Sequence, residues 1–201
     1  MKLLYGIFLI GLAVCASAMA ENSTQTVETI VCIRHGEKPA AGLGQLTCRG
    51  LNQALALPKV LLGKYGTPQF VFAPNPTQKA DKGNSYNYIR PLMTIEPTAI
   101  RRGLPVNTEF GFREIDGLEK ELEKPGYQNA VVFVAWEHGL LDRFVKEMVK
   151  SHGGDDTQIP KWPGKDYDSI FLVKITRSGG TQTVSFTIDH EGLDNLSDDC
   201  P

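Results

Sequence analysis

Two histidines in this sequence occupy the same setting. His35-Gly36 follows the apolar run at residues 27–33 by way of Arg34, and His138-Gly139 follows the apolar run at residues 130–136 by way of Glu137. A buried strand that ends in a histidine delivers the imidazole to the crevice outside the carboxyl ends of an open parallel sheet, where ligands bind. One such histidine would be read as packing; two in the same setting can meet in one crevice and point to chemistry. The glycine after each lets the turning backbone approach a ligand closely. Arg34 adds a fixed fork of N–H donors suited to phosphate oxygens, and a cation there favours the neutral, nucleophilic imidazole. The electrophile that best fits this company is a phosphoryl group, whose transfer depends on positioning and on neutralising charge spread over its oxygens. His35 is then the nucleophile. A second arginine should share the oxygens, and Arg90, at the head of a helical segment after a long polar loop, is the candidate.

These residues need elements to position them. Residues 27–33 alternate and then fill with β-branched side chains, which reads as a buried strand. Leu51, Ala54, Leu55, Leu57, Val60 and Leu61 recur at helical spacing over residues 50–62, stopped by Gly63 and Gly66 and interrupted by Pro58. A short strand at 70–73 precedes a polar loop at 74–87, of the length that is usually functional or mobile. A helix is expected over 88–101 despite Pro91 and Pro97, and a charged surface helix over 115–123. Residues 130–136, apolar throughout, read as a strand covered on both faces. Leu141, Phe144, Val145 and Met148 then define one face of a helix at 140–150, and two strands at 169–176 and 181–188 join through Ser178-Gly179-Gly180 as a hairpin. Strands alternating with helices predict an α/β fold, a mainly parallel central sheet flanked by helices on both faces.

The chain has 201 residues, 41% hydrophobic and 22% charged, which suits one core of ordinary size. Its formal charge of -2 leaves no cationic surplus for a nucleic-acid backbone. Lys2, an apolar stretch and Ala18-Met19-Ala20 form the three-part pattern of a secretory signal peptide over residues 1–20. The apolar stretch is shorter than the roughly 20 residues that span a bilayer. A single domain at 21–201 is therefore expected to be exported, periplasmic or secreted, with no stable membrane association after cleavage. Cys32, Cys48 and Cys200 remain; an odd count in an oxidising compartment predicts one bridge and one buried thiol. Cys32 lies in the apolar strand pattern, leaving Cys48 with Cys200 as the expected pair. No close cysteine or histidine spacing implies a metal.

Four segments, in order, carry a resemblance. Arg34-His35-Gly36-Glu37 after an apolar strand resembles the signature of the histidine phosphatase superfamily, in its phosphoglycerate-mutase-like branch. Leu46-Thr47 with Gly50, Gln53 and Ala54 resembles the segment that follows it there, Arg90 with Thr94 resembles the second-arginine segment, and Val134 to Gly139 resembles the late strand ending in the second histidine. Lys38-Pro39 is similar to the acid-phosphatase branch, but that branch has an aspartate where this chain has Gly139. The family places its second arginine a few residues past the second strand, whereas residues 74–89 intervene here, so the pocket is expected to be rebuilt at that loop.

The resemblance implies a metal-independent phosphatase that needs no cofactor and hydrolyses phosphomonoesters through a phosphohistidine on His35. Arg34, Arg90 and His138 would hold the phosphoryl oxygens. The substrate would be a phosphorylated small molecule or a phosphoprotein. A phosphoprotein or phosphohistidine phosphatase, or a catalytically silent phospholigand-binding domain, are the alternatives. Glu114-Ile115-Asp116-Gly117 resembles the segment holding the general acid, which makes Glu114 the candidate. Glu137 is its rival, although a residue before His138 on an extended strand should face away from it.

Overall fold

The computed structural model describes residues 25–201 apart from 82 and 84; the expected signal segment lies outside the described residues. Strand β1 (Thr26–Arg34) runs through the centre of the main sheet, and Ile30, Val31, Cys32 and Ile33 are at most 1% exposed. Helices cover both faces of this strand, which is why its sequence reads as a continuous apolar run.

Helix α1 (Cys48–Tyr65) outruns residues 50–62 at both ends, because Thr47 caps it by accepting the Gly50 N–H at 3.1 Å. Pro58 lies inside α1 without ending it. Strand β2 (Phe70–Phe72) is followed by a small hairpin of β3 (Lys79–Ala80) and β4 (Tyr86–Asn87) within the stretch read as loop. Helix α2 (Arg90–Arg102) has Pro91 in its first turn, where a missing N–H costs nothing, and ends at Gly103 in the left-handed conformation. Helix α3 (Ile115–Leu122), strand β5 (Val131–Trp136) and helix α4 (His138–Ser151) follow. The antiparallel pair β6 (Ser169–Ser178) and β7 (Thr181–His190) turns through Gly179 and Gly180, both at positive φ.

The sheet order is β2-β5-β1-β6-β7. Strands β2, β5 and β1 are parallel, as the α/β reading requires, while β6 runs antiparallel to β1. The sheet is therefore mixed at its β6-β7 side and parallel where the histidines are. Residues of one parity, such as Cys32 and Val134, pack with Leu118 of α3 and Phe144 of α4. Those of the other parity, Val31 and Phe133, pack with Leu57 of α1 and Ile95 of α2. The chain is thus three layers with helices on both faces.

Cys48 and Cys200 form a disulfide and Cys32 is a buried free thiol. The bridge holds the C-terminal segment on the start of α1, where Arg49 pairs with Asp198 at 2.7 Å and Asn52 donates to the Ser197 and Asp199 carbonyls.

Candidate active site

Strands β1 and β5 are neighbours, and the chain leaves them toward opposite sides of the sheet. That is the switch point at which an open α/β sheet forms its crevice. A cavity of about 290 Å³ lies there, lined by Arg34, His35, Arg90, Glu137 and His138 among others. The structure so brings together five of the six residues singled out in the sequence. Glu114 does not line the cavity: it precedes α3, is exposed, and its carboxylate accepts the Gly111 N–H at 2.8 Å and the Gln78 amide at 3.4 Å. Its neighbour Arg113 is in the wall instead.

His35 is 1% exposed. Its Nδ1 lies 2.8 Å from its neighbour's carbonyl, Gly36 O, and Arg90 Nε donates to its Nε2 at 3.1 Å. A carbonyl can only accept, so the proton sits on Nδ1 and the lone pair on Nε2. Burial, then the Arg90 and Arg34 cations, push the His35 pKa well below the usual imidazole value. The His35 imidazole is therefore neutral at neutral pH.

Arg34 is buried under the loop that enters β6. Because β6 runs antiparallel to β1, its amino end lies at the carboxyl end of β1, and that loop supplies Gly164 O and Asp166 O as acceptors for Arg34 Nη1 at 2.9 and 2.8 Å. The Tyr167 ring stacks on the guanidinium at 3.8 Å. Arg34 Nε is left buried with no protein acceptor, a donor free for a ligand oxygen. Arg90 opens α2, and Thr94 one turn on accepts the Gly36 N–H at 2.9 Å while donating to Arg90 O, so the second-arginine segment also fixes the histidine loop.

Gly36 and Gly139 have a role other than the expected approach to a ligand. A Cβ on Gly36 would lie 2.9 Å from Gly50 O, and one on Gly50 would lie 2.4 Å from Glu37 O. The glycines let the histidine loop and the start of α1 pack backbone against backbone. At Gly139 a Cβ would meet the Glu137 carboxylate at 3.2 Å.

Glu137 does not face away from His138. Strand β5 ends at Trp136, and Glu137 is the N-cap of α4, accepting the Leu140 N–H at 2.9 Å. Its other oxygen lies 2.6 Å from His138 Nδ1. Burial opposes ionisation of Glu137, but His138 and the Gly139 and Leu140 amides outweigh it and bring the pKa down to about 2.

The sequence reading did not single out the rest of the wall for chemistry. Lys38, Ala80, Asp81, Tyr88 and Phe112 complete it. Asp81 lies in the polar loop recognised as functional in length, yet nothing in the sequence shows which loop residue turns inward. Among the described residues, no group of three His, Cys, Asp or Glu side chains could hold a metal ion.

Three layers, with two histidines at the carboxyl ends of adjacent parallel strands, define the phosphoglycerate-mutase-like α/β fold. Solved structures sharing it include the protein histidine phosphatase SixA complexed with tungstate, 16% identical, covering 81% of this chain and 97% of that chain at a TM-score of 0.54. A mycobacterial glucosyl-3-phosphoglycerate phosphatase is 15% identical, with 81% and 97% covered at 0.54. A phosphoglycerate mutase from Plasmodium falciparum is 13% identical, with 86% and 95% covered at 0.51. No family model and no curated protein matches the chain.

Proposed function

We propose that this chain is a phosphatase of the histidine phosphatase superfamily that hydrolyses phosphomonoesters through a phosphohistidine on His35. The observation that carries the reading is the state of His35: buried, neutral, with Nδ1 fixed on Gly36 O and Nε2 held at Arg90 in a cationic cavity. In the first step Arg90 Nε releases the Nε2 lone pair and turns to a phosphoryl oxygen, Nε2 attacks phosphorus and the bond to the ester oxygen breaks. Arg34, Arg90 and His138 hold the phosphoryl oxygens while the charge spreads. An acid protonates the departing alkoxide. In the second step the same carboxylate takes a proton from water, which attacks phosphorus, breaks the bond to nitrogen and frees inorganic phosphate.

We assign the acid to Glu114. Glu137 is held ionised by His138 and the α4 amides and has no proton to give near neutrality. Glu114 adjoins Arg113 of the wall, and to act as the acid its side chain must turn away from Gly111 toward the cavity.

The test is a rapid-quench experiment with nitrophenyl phosphate in excess chelator. The expected product is a phosphoenzyme labile to acid and stable to alkali, absent in His35→Ala. Activity that is lost on chelation and restored by zinc or magnesium would overturn the mechanism, and binding of phosphate without any phosphoenzyme would leave a silent phospholigand domain. A panel of phosphorylated sugars, nucleotides, inositols and peptides then separates small-molecule from phosphoprotein substrates. Export belongs to the same proposal, and the Cys48–Cys200 bridge suits an oxidising compartment. Expression in a bacterial host should give a periplasmic species beginning near Glu21; a soluble cytosolic species retaining Met1 counts against it.

A further inference from the structure

Arg90, the second arginine of the cavity, is already occupied. Its Nη1 donates to Asp81 Oδ2 at 2.6 Å and its Nη2 to Asp81 Oδ1 at 3.1 Å, a two-pronged pair of the kind arginine makes with phosphate. Its Nε is spent on His35. Three of the five guanidinium N–H groups are so engaged within the protein. The pair is also buried, with side-chain exposures of 4% for Arg90 and 11% for Asp81, where a charge-assisted contact is screened little.

Asp81 is held there by its backbone as well. Its φ is +62°, in the left-handed region that aspartate, like asparagine, visits as a single residue. A Cβ on Gly42 would lie 2.5 Å from Asp81 Cγ, so only glycine at that position admits the carboxylate.

Each oxygen of Asp81 has a second partner. Oδ2 accepts the Gly44 N–H at 3.0 Å, and Oδ1 lies 3.7 Å from Lys38 Nζ. On leaving Arg90 the carboxylate would keep an amide and an ammonium beside it, which lowers the cost of displacement.

We propose that Asp81 is a built-in occupant of the phosphoryl site: its carboxylate holds the place of phosphoryl oxygens on Arg90, and a substrate binds by displacing it toward Lys38 and Gly44. The inference rests on the phosphoryl-site reading above and adds its consequence for specificity. Only a group that outcompetes a carboxylate for a paired arginine, such as a phosphoryl dianion, gains Arg90. A carboxylate ligand has no such advantage and is turned away.

The experiment measures binding of inorganic phosphate and of acetate by calorimetry, and kcat and KM with nitrophenyl phosphate, in the unaltered protein and in Asp81→Asn. Asparagine keeps the shape and tolerates the left-handed backbone. Phosphate should bind at least about tenfold tighter to the variant, the lower end of what a charge-assisted contact is worth. KM should fall in proportion with kcat changed much less, and acetate binding should become measurable. Equal or weaker phosphate affinity, or a fall in kcat at unchanged KM, assigns Asp81 to positioning Arg90 and overturns the proposal. A tungstate soak of the unaltered protein supplies a readout without substitution: Asp81 is expected off the Arg90 Nη pair, and a persistent two-pronged pair overturns it. Phosphoenzyme formation alongside either contrary result would leave the phosphatase reading standing and sink only the role of Asp81. Failure to bind phosphate or form phosphoenzyme in both proteins defeats both readings.

Discussion

In the proposed mechanism Glu137 and Glu114 divide two duties that one carboxylate cannot perform together. A carboxyl with its pKa at about 2 is a fixed anion, suited to holding His138 and the first turn of α4. An acid must carry its proton into the transition state, a contribution of roughly 10²- to 10⁴-fold for a poor leaving group. Glu114→Gln is therefore expected to depress turnover of an alkyl phosphate by about that factor and to leave nitrophenyl phosphate much less affected, because nitrophenolate departs unaided. Glu137→Gln should slow both substrates alike through a loosened His138. Single-turnover phosphorylation of His35 with both esters checks this, and leaving-group selectivity in the Glu137 variant alone would transfer the acid role. At this scale the make-up of the cavity was largely legible: Arg34, His35 and His138 were singled out at the ends of apolar runs and Arg90 at the head of a helix after the polar loop, and all four line one cavity. Asp81 and Tyr167 were not, since a left-handed backbone at a loop aspartate and a ring stacked under Arg34 depend on contacts across the fold that no local pattern records.

The elements follow the sequence where local signals are self-contained and depart from it where a boundary belongs to a side chain. Residues 130–136 were read as strand and 140–150 as helix, and the intervening residues decide the site. Glu137 caps α4, so His138 starts a helix and both side chains reach the crevice. The hairpin signal at Gly179-Gly180 was correct, but it did not show that β6 would lie against β1 and bring Gly164 and Asp166 to Arg34. The join between the histidine loop and α1 gives an element-scale expectation. A methyl at Gly50 would lie 2.4 Å from Glu37 O and 2.9 Å from Glu37 N, both backbone atoms that cannot swing aside. Gly50→Ala should cost about 1–3 kcal/mol of stability, the usual range for overpacking, and lower kcat with it as the loop carrying His35 shifts. Urea denaturation with parallel kinetics measures both; a variant as stable and as active as the original would show that the loop and helix yield freely. Gly63 is the control, since a Cβ there meets nothing within 4 Å.

The whole molecule carries acid groups whose ionisation its interior opposes. Burial pushes Glu28 on β1 up to about 7 against the pull of Arg177 at 3.0 Å, and burial holds Glu191 well above the ordinary carboxyl value. A raised pKa means the folded chain binds a proton that the unfolded chain has released. The stability from Glu28 is thus complete below pH 4.5 and lost as pH rises through about 7. His35 acts in the opposite sense, its contribution being present above pH 6.5 and lost on acidification. The melting temperature should accordingly decline from pH 5 to pH 8 more steeply in the original protein than in Glu28→Gln; parallel declines would show that Glu28 is ionised when folded. The bridge between Cys48 and Cys200, separated by 152 residues, has a consequence of another kind. It closes the chain from 48 to 200 into a covalent ring, and β1 lies outside that ring in sequence while running through its middle in space, bonded to β5 on one side and β6 on the other. Stretched between its two ends in an optical trap, the oxidised protein can pay out only the chain ahead of Cys48, drawing β1 and His35 from the sheet like a bolt from its housing. Everything between the cysteines stays looped, adding no length under tension until a reductant opens the ring.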